Sequence, residues 1–231
     1  MPDFLTEKRP FKFHFLNAQE CLQILTEDQK KEMVQHKTDL EFNAGEIIIK
    51  RGIDSNNILY VTEGLVKLEI TNGNKIATLT MVKPHSFIGI VCCFAFDKFD
   101  FTATALENTK VTLIEMSIFQ KFIKNNGEFA LNLIKHMSGV ANGIFHKITN
   151  FSQKNIEGAL SLTILEFEEI YSSPKFKLPV NRKELANILG YSKESVINTL
   201  SKFNKESIIK VCDKEIEILN HKKLQQISRI G

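Results

Sequence analysis

The periodicity of apolar positions changes twice along the chain. Helical spacing in the first forty residues predicts short helices over 18–25 and 27–36, with Thr26 as the N-cap of the second. Beyond Leu40, stretches rich in β-branched and aromatic residues are separated by glycines about every ten residues, a spacing typical of an antiparallel sandwich or barrel. The predicted strands are 46–50, 58–62, 65–71, 75–82, 102–106 and 111–116.

A long amphipathic helix is predicted over residues 128–151, which contain no proline. Its apolar stripe either packs on the β domain of the same chain or also pairs with a second copy in a dimer. Gly139 and Gly143 favour the dimer, because each costs roughly 1 kcal/mol in a helix unless another backbone approaches closely. The stripe contains Ala130, Leu133, Met137, Val140, Ile144 and Phe151, widened by Ile134, Ala141, Phe145 and Ile148. The predicted dimer interface is Leu133, Met137, Val140 and Ile144.

Composition indicates a globular protein with an uneven charge. Of the 231 residues, 43% are apolar and 25% charged, and no apolar run approaches the roughly 18 residues of a membrane helix. No signal peptide is recognisable, so we expect a cytoplasmic location. The four cysteines have no repeated spacing, which predicts reduced thiols and no metal site. Residues 171–231 carry 12 basic and 6 acidic side chains, which suits an anionic partner or a plain solvated surface equally well.

Residues 181–203 have the pattern of a helix-turn-helix. Asn181 and Glu184 match a capping box, and Gly190 is suited to end the first helix in the left-handed conformation. Tyr191 forms the turn and Ser192 caps a second helix. The inward positions of that helix are Val196, Leu200 and Phe203. Its predicted outward face is Lys193, Glu194, Ser195, Asn198, Thr199 and Lys202.

The outward face suits the major groove of DNA. Lysine donates to guanine, glutamate accepts from cytosine and asparagine pairs with adenine, while serine hydroxyls at the helix start bind phosphate. Residues 208–211 and 216–219 alternate around a short turn, which predicts a β-hairpin wing. The alternative is a C-terminal domain that binds protein rather than DNA. An enzyme is not expected, because the sequence contains no phosphate loop and no nucleophile motif.

These motifs resemble the Crp/Fnr transcription regulators over nearly the whole chain. Residues 185–196, with Leu-Ala-Asn-Ile-Leu-Gly-Tyr-Ser-Lys-Glu-Ser-Val, are similar to the helix-turn-helix of that family, and residues 57–67 and 84–89 to its cyclic-nucleotide-binding β-roll. The resemblance implies an α+β fold with a β-roll sensor domain (1–127), a dimerisation helix (128–151) and a winged helix-turn-helix domain (152–231). It also implies a homodimer that binds an inverted repeat in double-stranded DNA, and RNA polymerase as a further partner of an activator.

The resemblance assigns DNA contacts by position. It implies base contacts by Lys193, Glu194 and Asn198, phosphate contacts by Arg182, Ser192 and Ser195, and a wing contact by Lys214. Lysine at 193 and asparagine at 198 replace arginines that are common in the family. Because lysine lacks the planar fork of arginine, we expect a different operator sequence.

The sensor domain lacks the charged groups with which the family binds cyclic AMP. Gly89-Ile90 and Phe101-Thr102 occupy the places of a Gly-Glu pair and of an Arg followed by Ser or Thr. Cyclic AMP is therefore not the expected effector, since an arginine–phosphate pair is a strong contact. The candidate pocket contains Phe87, Gly89, Ile90, Phe101 and Thr102, with Phe94, Phe96 and Phe99 nearby. Either these side chains fill the pocket, or it accepts an apolar effector.

No cofactor is expected. An iron-sulfur member of the family needs clustered cysteines near the N-terminus, and here only Cys21 precedes the pair Cys92-Cys93. Neighbours on a strand face opposite sides, so that pair is not expected to hold one ion. Some members of the family sense gas through haem, and His85, His136 and His146 are the candidate ligands for this alternative.

Overall fold

The computed structural model describes residues 18–72 and 75–231. The helices in these ranges are α1 (Ala18–Gln23), α2 (Glu27–Gln35), α3 (Ile90–Ala95), α4 (Met116–Asn125), α5 (Gly127–Ser152), α6 (Ile156–Tyr171), α7 (Arg182–Leu189), α8 (Lys193–Lys205) and α9 (His221–Ile230). The strands are β1 (Lys37–Phe42), β2 (Ile47–Ile49), β3 (Asn57–Glu63), β4 (Val66–Asn72), β5 (Lys75–Val82), β6 (Ser86–Ile88), β7 (Thr102–Ala105), β8 (Thr109–Glu115), β9 (Lys175–Lys177), β10 (Ile209–Cys212) and β11 (Glu215–Ile218).

Two antiparallel sheets form the N-terminal domain, as the glycine-punctuated pattern predicts. Their strand orders are β1-β8-β3-β6 and β2-β7-β4-β5. Alternate side chains point into the space between the sheets, where Leu59, Val61, Val66 and Val111 are buried. The sequence pattern missed β1, because the inner positions of Lys37–Phe42 are all exposed and have no apolar alternation. Within the described ranges, no helix combines the length and apolar character needed to cross a membrane.

Helix α3 corrects the sequence interpretation of the cysteine pair. Cys92 and Cys93 lie on this helix and not on a strand. Burial raises the pKa of the Cys93 thiol to about 11, and its Sγ lies 3.4 Å from the carbonyl oxygen of Asn57. The thiol is therefore protonated at neutral pH.

Helix α5 packs its first turns on the N-terminal domain. Phe129 and Leu133 are buried against α4, with the rings of Phe129 and Phe119 centred 5.3 Å apart. Leu133 is only 4% exposed, so it has almost no surface to offer a second chain. Its predicted place in the dimer interface is wrong, because contacts within its own chain already bury it. Met137 is partly buried at the edge of the same cluster, whereas Val140 and Ile144 are exposed.

The C-terminal domain combines α6 to α9 with the sheet β10-β11-β9. Strands β10 and β11 form the predicted wing, with register Ile209 to Ile218, and its turn contains Asp213 at φ 51°. Phe167, Leu185 and Phe203 are buried in the core of this domain. Three residues of the N-terminal domain belong to the same apolar cluster, so the two domains share one buried contact. They are Leu65, Met81 and Leu106.

Candidate nucleic-acid interface

Interactions between near neighbours in the sequence define where α7 begins and ends. The side-chain oxygen of Asn181 accepts from the backbone nitrogens of Lys183 and Glu184 at 2.9 and 3.0 Å. Glu184 Oε2 accepts from the Asn181 backbone nitrogen at 2.8 Å, which completes the predicted capping box. Gly190 ends the helix at φ 73°, the left-handed conformation that glycine adopts without strain. The first helix of the helix-turn-helix is therefore fixed by residues close in sequence.

Helix α8, the recognition helix, begins at its predicted cap. Ser192 Oγ accepts from the backbone nitrogen of Ser195 at 3.1 Å, and the two hydroxyl oxygens are 2.9 Å apart. Val196, Leu200 and Phe203 are buried, as the spacing predicts. Glu194 and Asn198 are exposed on the other side of the helix, Lys193 is exposed at its first position, and Ser195 is partly buried at its start. The residues assigned to base contacts are thus accessible.

Thr199 does not lie on the outward face, and that prediction was wrong. Its side chain is only 7% exposed, and its hydroxyl donates to the carbonyl oxygen of Ser195 at 2.9 Å. Thr199 follows Val196 by three residues and precedes Phe203 by four, so helical geometry puts it on the buried stripe. Thr199 is therefore not available for contact with DNA.

Two residues of the exposed face were missed. Ser201 and Lys205 are exposed and continue the line of Glu194 and Asn198 along α8. Positions 194, 198, 201 and 205 are separated by four, three and four residues, so they lie above one another on one face. This spacing is visible in the sequence, and extending it to the end of the helix would have found both residues. We call these four residues the α8 row.

Lys202 points toward the junction between α5 and α6. Its Nζ lies 2.6 Å from Glu157 Oε1 in the first turn of α6. This hydrogen bond to Glu157 raises the pKa of Lys202 above its ordinary value. In the turn before α8, the Tyr191 hydroxyl donates to the carbonyl oxygen of Lys154 at 2.7 Å. Both contacts tie the recognition helix to the junction, and the charge of Lys202 is partly neutralised there.

Arg182 and Lys214 lie beside the wing. The Nη2 atom of Arg182 donates to the carbonyl oxygen of Asp213, and its buried Nη1 atom has no hydrogen-bond partner in the described part of the chain. Burial lowers the pKa of the Arg182 guanidinium from its ordinary value. Lys214 is partly buried, and its carbonyl oxygen accepts from the Leu178 nitrogen at 2.8 Å. Arg182 therefore links α7 to the turn of the wing, a contact that its sequence position does not reveal.

Aromatic side chains occupy the region of the candidate effector pocket. Phe99, Phe101 and Ile90 are buried, and the two rings are centred 5.8 Å apart. A Cβ at Gly89, which has φ 94°, would lie 2.6 Å from Phe99 Cε1. Thr102, partly buried on β7, accepts from the Arg51 backbone nitrogen at 3.4 Å. The Phe99 ring therefore lies directly against the Gly89 backbone.

Three of the predicted aromatic residues lie elsewhere. Phe94 and Phe96 are exposed and do not belong to the buried group around Phe101. Phe87 packs edge-on against Phe119 and His136, with ring centres 5.6 and 5.7 Å away. It faces the helices because neighbouring residues on β6 point to opposite sides of the sheet. The pocket residues predicted from the sequence are thus only partly brought together.

The three candidate haem ligands are spread over different surroundings. His85 Nδ1 lies 2.9 Å from the Tyr60 hydroxyl, and His136 is buried beside Phe87. His146 is exposed ten residues further along α5, a separation of about 15 Å. His136 and His146 therefore do not face one iron together. Among residues 18–72 and 75–231, no three His, Cys, Asp or Glu side chains are grouped so that they could hold a metal ion.

Comparison with known protein families identifies two domains. Residues 39–126 match the cyclic nucleotide-binding domain, and residues 160–227 match the Crp-like helix-turn-helix domain. Among curated proteins, the transcriptional regulator SdrP of Thermus thermophilus is 24% identical over 204 residues, which cover 85% of this chain and 96% of that protein. The fumarate and nitrate reduction regulatory protein of Vibrio cholerae is 24% identical over 210 residues, covering 88% of this chain and 83% of that protein.

Solved structures share the fold. A transcriptional regulator of the Crp/Fnr family from Eubacterium rectale superimposes with a TM-score of 0.74 at 21% identity, covering 90% of this chain and 97% of that one. FixK2 from Bradyrhizobium japonicum gives a TM-score of 0.75 at 17% identity, and the superposition covers 84% of this chain and 98% of FixK2. The α+β fold predicted from the sequence is thereby confirmed. Because both domain types occur in the family's order, the chain belongs to the Crp/Fnr family of transcription regulators, which are not enzymes, and contains its helix-turn-helix DNA-binding domain.

Proposed function

We propose that the chain acts as a homodimer that binds an inverted-repeat operator in double-stranded DNA. The observation that carries the proposal is the α8 row, in which Glu194, Asn198, Ser201 and Lys205 are exposed along one face. An α-helix fits the major groove, where carboxylate, amide, hydroxyl and ammonium groups can address base edges or phosphates. The buried stripe opposite the row anchors the helix, so the row faces away from the core.

The proposed dimer contact lies on α5, on a different side from the one predicted. The side with Phe129 and Leu133 is buried in its own chain. Ile134, Phe145 and Ile148 lie about 100° around the helix, and the last two are 69% and 62% exposed. A second α5 covering this apolar side would remove it from water, at roughly 2 kcal/mol for each large side chain. Val140 and Ile144 lie in line with Leu133 further along α5, where they are 39% and 41% exposed, and they border the proposed contact.

We further propose that cyclic AMP is not the effector. Ile90 and Phe101 stand where the family pattern has its charged contacts, so no arginine pairs with the cyclic phosphate there. The rings of Phe99 and Phe101 occupy the adjacent space. An apolar effector would have to displace these buried rings, which makes a filled pocket the simpler arrangement.

The remaining parts of the proposal follow from this function. Residues 1–127 serve as the sensor domain, 128–151 as the dimerisation helix and 152–231 as the DNA-binding domain. The protein acts in the cytoplasm without a cofactor. If it activates transcription, RNA polymerase is a further partner.

Selection of bound sequences from random duplex DNA tests the proposal. We expect enrichment of an inverted repeat whose half-sites are centred about 34 Å, or a multiple of it, apart. Affinity should fall steeply and linearly with salt on logarithmic axes, because DNA binding releases counterions from neutralised phosphates. A matched control is the double variant Glu194→Ala and Asn198→Ala, which should fold normally and lose the enrichment. If wild-type protein enriches no sequence and shows a shallow salt dependence, the C-terminal domain binds protein instead.

A further inference from the structure

Lys67 is a buried lysine at the contact between the two domains. It lies on β4 and is only 6% exposed, and it is the sole buried lysine among the described residues. Its Nζ lies 2.9 Å from Glu69 Oε1 and 3.6 Å from Glu184 Oε1. Lysine is almost never buried unless it is paired, so the two carboxylates account for its position.

Glu184 has two separate contacts. Its Oε2 atom accepts from the Asn181 backbone nitrogen at 2.8 Å and so closes the capping box of α7. Its Oε1 atom faces Lys67 on the sensor domain. One carboxylate therefore holds the first turn of the helix-turn-helix and also joins it to the other domain. Asn181 and Glu184 complete the capping box with hydrogen bonds to each other. The cap therefore does not require a lysine beside Glu184.

The surroundings of the pair are apolar. Leu65 and Met81 of the sensor domain and Leu185 of α7 belong to one buried cluster. The Lys67 side chain is 8% exposed and that of Glu184 is 35% exposed, so water is excluded from the lysine end of the pair, which strengthens the attraction and makes separation costly. By contrast, Lys83 and Glu169 join the same two domains at 3.2 Å but are both exposed, and such pairs contribute little.

We propose that Lys67 is a positioning residue for the helix-turn-helix. It holds α7 in one orientation on the sensor domain, and the tight turn at Gly190 together with the shared core carries that orientation to α8. In a dimer, this orientation sets the distance between the two recognition helices. This last step rests on the proposed function as a dimeric DNA-binding protein.

The test uses two variants with matched controls. Lys67→Met removes the charge and keeps much of the apolar stem. Glu184→Gln removes the opposite charge but preserves the cap, because glutamine also serves in a capping box. The double variant should behave like either single variant, and Lys83→Met, which breaks the exposed pair, should behave like wild type. Glu184→Gln still tests the idea if Lys67→Met does not fold.

Operator spacing is the first measurement. Wild-type protein and Lys83→Met should lose at least about tenfold in affinity when one base pair is inserted between the half-sites. The two test variants should lose less than about threefold, since their helix-turn-helix domains can reorient, while base preference within each half-site stays unchanged. Equal spacing dependence in all four proteins would overturn the proposal.

Hydrogen exchange without DNA separates this proposal from the proposed function. Amides at the start of α7 and in β4 should exchange faster in Lys67→Met and Glu184→Gln than in Lys83→Met. If that occurs in a protein that binds no DNA, positioning between the domains stands while the DNA-binding proposal fails. Exchange that is unchanged in both test variants overturns the positioning role whatever the DNA result.

Discussion

Lys202 on the recognition helix forms an ion pair with Glu157 in the first turn of α6, with Nζ 2.6 Å from Oε1. The pair places a cation of α8 at the junction between α5 and α6, although its sequence position suggests the outward face of α8. Lys205, three residues further along α8, is exposed and belongs to the α8 row. The two lysines therefore make a matched pair for experiment.

Lys205→Ala should lower the salt dependence of DNA binding, and Lys202→Ala should change it much less. Each phosphate neutralised by a cation contributes about 0.9 to the slope of log affinity against log salt. Lys202 already has a carboxylate partner, so it neutralises little phosphate charge, and removing it should hardly change the number of counterions released on DNA binding. Titration of operator DNA at four salt concentrations gives both slopes. A larger change for Lys202→Ala would place that lysine, and not Lys205, on the DNA backbone.

Asn198→Ala and Glu194→Ala should relax base preference. Each is expected to cost about 1 to 3 kcal/mol on the best operator and to reduce discrimination at one base pair per half-site. Lys214→Ala, in the wing, should weaken all sequences alike if this lysine contacts phosphate only, as the family resemblance implies. Gel shifts on single-base operator variants measure these preferences. Unchanged preferences after Asn198→Ala would mean that α8 docks in another orientation.

Phe145→Glu with Ile148→Glu should produce a monomer. Both side chains lie on the exposed apolar side of α5, where burying a charge without a partner is costly. His146→Glu, an exposed position about 100° around the helix from Phe145 and about 160° from Ile148, is the control and should remain dimeric. Analytical ultracentrifugation distinguishes the two. Leu133→Ala should instead lower the free energy of unfolding by about 2 to 5 kcal/mol, because it leaves a cavity in the chain's own core.

Cyclic AMP should not bind. Isothermal titration calorimetry at millimolar nucleotide should give no specific heat, since Phe101 and Ile90 supply no charge to the phosphate. The variant Phe99→Ala removes the ring that lies against Gly89 and should still not bind, because space alone does not replace the missing arginine. Micromolar binding by the wild type would contradict both the pocket assignment and the role given to these substitutions.

Stability should fall at high pH because of two thiols, the buried Cys21 and the partly buried Cys93. Burial raises the pKa of Cys21 and of Cys93 from 9.0 to about 11. A raised folded pKa contributes stability that is complete below the unfolded value and is lost as pH rises through the folded value. The free energy of unfolding should therefore decrease between pH 9 and 11, by roughly 1 to 3 kcal/mol for each thiol. Urea unfolding under reducing conditions measures this free energy at each pH. Its decrease should be smaller in the double variant Cys21→Ala and Cys93→Ala than in the wild type.

Interactions between near neighbours in the chain were readable without a structure. The cap formed by Asn181 and Glu184, the left-handed Gly190 and the cap at Ser192 each involve residues at most three apart. Their geometry depends on the local backbone and on side-chain chemistry, both of which the residue types specify. The same holds for the long helix at residues 128–151 and the turn of the wing.

Only the tertiary structure decided which side of each element is covered. Thr199 is buried although it is polar, whereas Phe94 and Phe96 are apolar and yet exposed. Lys67 looks like an ordinary surface lysine in the sequence, and Glu184, 117 positions away, meets it only after the domains dock. Periodicity specifies that a helix or strand has an apolar side, but the partner that covers it comes from distant parts of the chain. The sequence alone therefore predicted the family and the position of α8, while packing determined which side chains remain exposed and which are covered by the neighbouring domain.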